Sequence, residues 1–297
     1  MINSKSLLNI SDLNKSDIDN IFQYSNALNT FNDNNLLKDK SIGLIFEKYS
    51  TRTRLSFQVG ISQLGGNAID VKFEDLNLQR VESFEDTFRI MSLYLDAIVF
   101  RTTDHDKLIK ASNYFKKPII NGLSDLSHPC QVISDFYTLN QHFKSLDGLS
   151  ISWFGDMNNV LFSYFEILQL YPSINLNVFT AKSIFNQTID KFPKLNNINF
   201  YFDIDESVVK NSDCIMTDVF TSMNDQNSYK EDDLKKFQVN LNIMNMTKDH
   251  CIFMHCLPAN IGSEVTNEVL NSPKAITLTQ AKNRMIAQKG ILKWLNI

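Results

Sequence analysis

Short runs of apolar, β-branched and aromatic residues recur along the whole chain, and amphipathic stretches of helical length separate them. Apolar strands that alternate with helices are typical of parallel sheets covered by helices on both faces. The pattern predicts an α/β protein with two doubly wound, parallel-sheet (Rossmann-like) domains linked by long helices. The predicted strands are Ser41–Lys48, Asn67–Phe73, Ala97–Thr102, Pro118–Leu123, Ser150–Asp156, Asn175–Thr180, Asn197–Asp203, Cys214–Phe220, Cys251–Cys256 and Ala275–Thr279.

A length of 297 residues favours two domains of ordinary size. The polar sequence Lys144–Gly148 separates a long predicted helix from the strand that begins at Ser150, so we place the boundary there. The expected domains are residues 1–145 and 146–282, with the C-terminal helix 283–297 able to pack back on the first. The predicted helices are Thr51–Leu64, Ser83–Leu95, His105–Phe115, His128–Phe143 and Asn283–Leu295.

Charge and composition exclude several classes of protein. A net charge of -4 gives no basic surface for nucleic acid. No apolar run reaches the length of a membrane span, and the first residues lack the apolar core of a signal peptide. Four cysteines without a Cys-x-x-Cys pair do not make a disulfide framework. We therefore expect a cytoplasmic protein in a reducing compartment, with neither membrane nor nucleic acid as partner.

Polar side chains follow the predicted strands at the edge where open α/β sheets bind ligands. Because six strand ends carry such groups, the sequence predicts an enzyme active site. The segments are Tyr49–Arg54, Arg101–Thr103, Asn121–Gly122 followed by His128–Gln131, Gly155–Asn159, Asp218–Met223 and His255–Pro258.

The segment Ser50-Thr-Arg-Thr-Arg54 lies where a strand turns into a helix. Helix N-terminal N–H groups, hydroxyls and guanidinium groups together make a cradle for an anion such as phosphate. Only six of the 29 basic residues are arginine, and two of them are here. Arginine rather than lysine suits bidentate recognition of phosphate. The alternative is a helix-capping Ser/Thr run with surface arginines, and the lack of a Gly-rich pattern excludes a P-loop.

Arg101 ends a buried predicted strand, where its charge must be paired or bind a ligand. The alternative to ligand binding is an ion pair with Asp104.

His128 and Gln131 stand three residues apart in the first turn of a helix, so they share one face. Together they offer a donor for a carbonyl oxygen and an acceptor for an amide nitrogen. A helix cap with a hydrogen-bonded histidine is the alternative for this pair.

Cysteine and histidine adjoin in His255-Cys-Leu-Pro258, but the ligand spacing of a zinc site is missing, so we predict no metal. Cys256 is a candidate nucleophile or an inert buried thiol. Asp218 can hold an ammonium group or begin a turn, and Asn159 can cap a helix or hold a carboxylate. Asp156 follows Gly155 as in dinucleotide-binding turns, but no Gly-x-Gly-x-x-Gly is present, so NAD is set aside.

The succession of Ser50-Thr-Arg-Thr-Arg54 and His128-Pro-Cys-Gln131 resembles the motifs of the aspartate/ornithine carbamoyltransferases, and the resemblance runs from about Lys38 to Leu295. Cys130 within the second motif, Asp218 followed by Ser222-Met223, and His255-Cys-Leu-Pro258 resemble the ornithine branch. Gln280-Ala-Lys-Asn-Arg284 resembles the Gln-Ala-Glu-Asn-Arg segment of the family.

The resemblance implies transfer of the carbamoyl group of carbamoyl phosphate to the δ-amino group of ornithine, as in arginine biosynthesis, without metal or cofactor. It implies catalytic roles for Arg101, His128, Cys256 and Arg284. It implies that ornithine is bound by Asn159, Asp218, Ser222 and Met223. It implies that carbamoyl phosphate is bound by Ser50, Thr51, Arg52, Thr53, Asn77, Arg101, His128, Gln131, Cys256, Leu257 and Arg284.

The resemblance also implies a homotrimer whose sites lie between subunits. Asn77 stands where the ornithine branch usually has Gln or His reaching a neighbouring subunit. Asn224 replaces the usual Gly after Ser-Met, and Lys282 replaces a usual Glu. Two alternatives stay open: a carbamoyltransferase for another amine (putrescine, acetylornithine or aspartate) and a non-catalytic anion-binding relative.

Overall fold

The computed structural model describes residues 5–30, 33–48, 50–73, 76, 82–221 and 229–297. The chain divides into two units, one of Met1–Tyr137 with Asn283–Ile297 and the other of Thr138–Lys282. Each unit contains one sheet in which every pair of neighbouring strands is parallel. The prediction of an α/β protein with two parallel sheets is therefore confirmed.

The first unit holds a four-stranded sheet with the order β2-β1-β3-β4. Its strands are β1 (Ser41–Phe46), β2 (Asn67–Lys72), β3 (Ala97–Arg101) and β4 (Ile119–Leu123). Its helices are α1 (Lys15–Thr30), α2 (Thr51–Gln63), α3 (Phe84–Tyr94) and α4 (His105–Tyr114), and α5 (Pro129–Phe143) begins in this unit.

The second unit holds a five-stranded sheet with the order β7-β6-β5-β8-β9. Its strands are β5 (Ser150–Phe154), β6 (Asn175–Phe179), β7 (Ile198–Tyr201), β8 (Cys214–Thr217) and β9 (Ile252–His255). Its helices are α6 (Asn159–Leu168), α7 (Lys182–Thr188), α8 (Glu206–Val209), α9 (Tyr229–Leu234), α10 (Leu241–Met246) and α11 (Asn267–Leu270), and α12 (Thr277–Leu295) begins here.

Local sequence explains where the helices begin. Ser83 accepts a hydrogen bond from the backbone of Asp86 at the start of α3, and Asp104 caps α4 in the same way. Pro129 occupies the first position of α5, where its missing N–H costs nothing. In the first unit, α3 and α4 contribute apolar side chains to one core with the strands: Ile45, Phe88, Met91, Leu95, Ile98, Phe100, Leu108, Ala111, Phe115 and Ile119.

The predicted strand Ala275–Thr279 is wrong. Ala275 forms only an isolated parallel bridge with Phe253, and Ile276 donates its N–H to the carbonyl of the same residue. The chain then turns into α12 at Thr277, six residues before the helix predicted from Asn283. A short apolar run cannot by itself be distinguished from the first turn of a buried helix, which explains the error.

Gly290 of α12 lies against α1 so closely that a Cβ atom would stand 2.6 Å from the carbonyl oxygen of Ile21. We expect Gly290→Ala to lower the free energy of unfolding by about 1–3 kcal/mol, because the overpacking outweighs the helix propensity of alanine. Urea denaturation measures the change. The control is Gly60→Ala in α2, where the nearest neighbour is Lys289 Cγ at 3.4 Å. An alanine variant at Gly290 as stable as wild type would contradict the close packing.

Candidate active site

The first unit brings two of the predicted segments together at the point where its strand order reverses. The chain leaves β1 for β2 on one side and returns to β3 on the other, so β1 and β3 are neighbours. Crevices at such switch points are where open α/β sheets bind ligands. Ser50 follows β1, and Arg101 is the last residue of β3, so both lie at this edge.

Ser50 and Arg101 are in direct contact. Arg101 Nη1 donates a hydrogen bond to Ser50 Oγ at 3.0 Å. Ser50 is the N-cap residue of α2, yet its hydroxyl does not cap that helix. Asp104, the alternative partner for Arg101, instead accepts from the backbone of α4. Thr53 is buried in the first turn, while Thr51 is exposed and Arg52 is partly exposed.

Three guanidinium groups converge on this place. Burial, followed by the positive charges of Arg284 and Arg52, lowers the pKa of Arg101 to about 10. Like charges that repel one another favour binding of an anion, because the anion relieves the repulsion. Arg54, the other arginine of the motif, instead donates to Asp70 at 3.1 Å.

His128 and Gln131 lie beside the same arginines. His128 is 5% exposed, and burial together with the charges of Arg284 and Arg101 holds its pKa well below the usual value. The imidazole is therefore neutral at pH 7 and can donate one N–H. Gln131 is also buried; its amide nitrogen donates to Asp135 at 2.7 Å, and its oxygen accepts from Arg284. The carbonyl oxygen of Gln131 has a second lone pair for a ligand N–H.

Glu47 is a residue that the sequence analysis missed. It follows β1 and accepts hydrogen bonds from the Thr102 hydroxyl (2.6 Å) and the Thr103 N–H (3.0 Å), while Lys107 pairs with it at 3.0 Å. These contacts tie Glu47, just after β1, to the residues just after β3. A single Glu in the strand run Ser41–Lys48 gives no sequence signal for this role.

The second unit has its own switch point between β5 and β8. Asn158 caps α6 by accepting from the backbone N–H groups of Val160 and Leu161, and its amide nitrogen donates to Asp218 at 2.8 Å. The alternative that Asn159 caps this helix is therefore wrong by one residue: Asn159 is the first residue of α6. The backbone of Asn158 is extended, as a cap requires.

The segment after β9 has an unusual backbone. Leu257 has a φ of 54°, a left-handed conformation that is uncommon outside glycine, and the next bond, Leu257–Pro258, is cis. Cys256 is 8% exposed. The thiol of Cys130, in the other cysteine-bearing motif, is fully buried, and burial raises its pKa to about 12, so that thiol is not a nucleophile at neutral pH.

The predicted residues thus divide between the units. Ser50, Thr51, Arg52, Thr53, Arg101, His128, Gln131 and Arg284 belong to the first unit, and Asn159, Asp218, Cys256 and Leu257 to the second. Asn77, Ser222 and Met223 lie outside the described residues.

Within the part of the chain that the structure describes, no three His, Cys, Asp or Glu side chains come together as a metal site. No helix of those residues is both long and apolar enough to cross a lipid bilayer.

Comparisons with known proteins cover nearly the whole chain. The family model for the aspartate/ornithine carbamoyltransferase carbamoyl-P binding domain matches residues 5–141, and the model for the Asp/Orn binding domain matches residues 147–295. The ornithine carbamoyltransferase of Nitrobacter winogradskyi is 37% identical over 97% of this chain and 96% of its own length.

Solved structures are similar as well. Ornithine carbamoyltransferase from Pyrococcus furiosus has a TM-score of 0.89 and 33% identity, covering 98% of this chain and 96% of that one. The anabolic ornithine carbamoyltransferase from Campylobacter jejuni has a TM-score of 0.88 and 29% identity, covering 98% of this chain and 99% of that one. The resemblance found in the motifs is confirmed.

Proposed function

The chain belongs to the aspartate/ornithine carbamoyltransferase family, and from this premise we propose that it transfers the carbamoyl group of carbamoyl phosphate to the δ-amino group of L-ornithine, giving citrulline and phosphate. The observation that carries the proposal is the convergence of three arginines beside a buried, neutral histidine. The phosphate leaving group is a dianion, which cationic side chains stabilise. The reacting carbonyl requires a hydrogen-bond donor, either neutral or cationic. Both kinds of group are present at one sheet edge.

The carbamoyl phosphate half combines this chemistry with the residue roles that the family resemblance implies. Arg52 and Arg101, with the hydroxyls and first-turn N–H groups of Ser50–Thr53, bind the phosphate. Arg101, Thr53 and His128 polarise the carbonyl, and Arg284 neutralises charge on the transferring group. Gln131 accepts from the substrate amino group, with the backbone carbonyls of Cys256 and Leu257.

The ornithine half rests on Asp218, which the Asn158 amide holds at 2.8 Å. With Asn159, Ser222 and Met223, Asp218 binds the amino-acid end of ornithine, and Cys256 orients its δ-amino group. The neutral δ-amine attacks the carbonyl carbon of carbamoyl phosphate, the C–O bond to phosphate breaks, and the proton that the nitrogen loses passes to the departing phosphate. The substrate supplies the nucleophile, so positioning and charge stabilisation can supply most of the rate.

A citrulline assay with carbamoyl phosphate and a panel of amines tests the proposal. Ornithine is expected to give product, whereas putrescine, acetylornithine and aspartate are expected to give little. If another amine is turned over faster than ornithine, that amine replaces ornithine as the proposed substrate. No product with any amine, combined with retained phosphate binding, would indicate a non-catalytic anion-binding relative.

The domain roles, pathway and location are part of the same proposal. Residues 1–145 with the C-terminal helix bind carbamoyl phosphate, and residues 146–282 bind ornithine. The reaction serves arginine biosynthesis, and the similar ornithine carbamoyltransferase from Campylobacter jejuni is an anabolic enzyme by name. All four cysteines are free thiols, which supports a reducing cytoplasm.

We also propose a homotrimer. Several large apolar side chains of the first unit are exposed, with Leu93 at 76% and Tyr94 at 74%. Exposed apolar side chains often mark subunit contacts. They are Leu55 and Val59 on α2, Ile69 on β2, and Ile90, Leu93 and Tyr94 on α3.

Hybrid trimers are expected to recover activity from two inactive parents. One parent carries Arg101→Ala, and the other carries Asn77→Ala in the loop that resembles one completing a neighbour's site. After the two are mixed under exchange conditions, some sites receive an intact Arg101 and an intact Asn77 from different subunits. Citrulline formation measures the recovery, and unmixed parents are the control. Light scattering that shows an active monomer would contradict the proposal.

A further inference from the structure

The backbone at Leu257 needs an explanation, because a leucine with a φ of 54° occupies a sparsely populated conformation. Such residues persist only where the surrounding structure holds them, and they are frequent at functional sites. In the proposed function, the Leu257 carbonyl accepts from the substrate amino group, so this conformation determines where that acceptor points.

The buried side chain of His255 holds the segment around Leu257 by hydrogen bonding. The Leu257 N–H donates to His255 Nδ1 at 2.8 Å, and the other ring nitrogen, Nε2, lies 3.2 Å from Glu264 Oε1. Both side chains are fully buried. Glu264 Oε1 also accepts from the Asn260 N–H at 2.5 Å, and the His255 N–H donates to Gln280 Oε1 at 2.9 Å.

These contacts determine the tautomer of His255. A backbone N–H can only donate, so Nδ1 carries no proton and accepts from Leu257. In the neutral imidazole, Nε2 then carries the proton and donates it to the Glu264 carboxylate. Glu264 thus fixes which ring nitrogen is the acceptor, and that acceptor fixes Leu257.

We infer that His255 is a positioning residue, oriented by Glu264, that holds the Cys256 and Leu257 carbonyls where they take up the amino group of carbamoyl phosphate. The inference rests on the proposed function. His255 does not touch the reacting atoms in this scheme. It acts through the Leu257 N–H, so its loss weakens carbamoyl phosphate binding more than it slows the chemical step.

Two substitutions distinguish the roles of the two ring nitrogens of His255. In His255→Asn, the amide oxygen stands near the place of Nδ1 and can still accept from Leu257. In His255→Gln, the amide nitrogen stands near the place of Nε2 and can still donate to Glu264, but the acceptor for Leu257 is lost. We expect His255→Gln to raise the KM for carbamoyl phosphate about ten- to hundredfold, with kcat and the ornithine KM changed less than about threefold.

His255→Asn is expected to stay closer to wild type than His255→Gln. If His255 served only to contact Glu264, His255→Gln would stay closer to wild type than His255→Asn, and that result would overturn the inference. The matched control is His250→Gln: His250 also contacts a carboxylate, Asp213 at 2.9 Å, but it precedes β9 at the other end of that strand. This variant should leave both KM values unchanged.

Hydrogen exchange of the Leu257 amide, measured without substrate, tests the same contact independently of catalysis. Wild type and His255→Asn should protect this amide, and His255→Gln should expose it. If the wild type makes no citrulline but the exchange order holds, the proposed function fails and the positioning contact stands. If His255→Gln does not fold, an unprotected Leu257 amide in the wild type still overturns the inference.

Discussion

Arg101→Lys is expected to lower kcat/KM for carbamoyl phosphate by about 10²–10³-fold. Lysine keeps the charge but loses the planar fork that donates to Ser50 and, in the proposed complex, to the phosphate. Burial and the charges of Arg284 and Arg52 already lower the pKa of Arg101 to about 10. A lysine in the same surroundings would lose its proton more readily, because its ordinary pKa is about two units lower.

The control for this prediction is Arg54→Lys. Arg54 belongs to the same motif, but it pairs with Asp70 and lies over the ring of Phe46 at 5.1 Å. We expect this variant to remain within about threefold of wild type, since a surface ion pair contributes about 1 kcal/mol or less. Steady-state citrulline formation at varied carbamoyl phosphate measures both. Near-wild-type turnover in Arg101→Lys would contradict the assignment of Arg101 to the phosphate site.

The contact between Ser50 and Arg101 could be predicted from the sequence because its signals are local. Ser50 and Arg101 each end a recognisable strand run, and parallel strands deliver their carboxyl ends to the same edge. Arg284 is different: it lies 153 residues after Gln131, to which it donates. No periodicity connects a C-terminal helix to a particular strand edge, so the role of Arg284 was implied only by the family resemblance.

Residues that differ from the prediction show the limit of pattern analysis at single positions. Asn158 and Asn159 are chemically identical, and only the backbone conformation decides which one caps α6 and therefore which one reaches Asp218. His255 was seen only as a neighbour of Cys256, because its partner Glu264 stands nine residues away with no helical or strand period between them. Such pairs require the tertiary structure.

His128→Ala is expected to lower kcat by about 10²–10³-fold, because it removes a preorganised donor from the developing oxyanion. His128→Gln, which retains an N–H donor, should recover part of that loss. Burial and the charges of Arg284 and Arg101 hold the pKa of His128 well below its usual value, so the donor is neutral across the pH range of the assay.

The lowered pKa of His128 also affects folding. In acid, His128 takes up a proton more readily in the unfolded chain than in the folded one. The free energy of unfolding therefore falls as the pH drops below about 6.5.

The pH dependence of the rate distinguishes this neutral donor from a titrating base. Ornithine must lose a proton before it attacks, and an amine of its type has a pKa near 10.4. At subsaturating ornithine the rate should therefore rise about tenfold per pH unit through the neutral range, since the attacking free-base fraction rises in that proportion. The slope should be the same in wild type and His128→Gln. An inflection near pH 6.5 that is present in wild type and absent from His128→Gln would mean that His128 itself exchanges the proton.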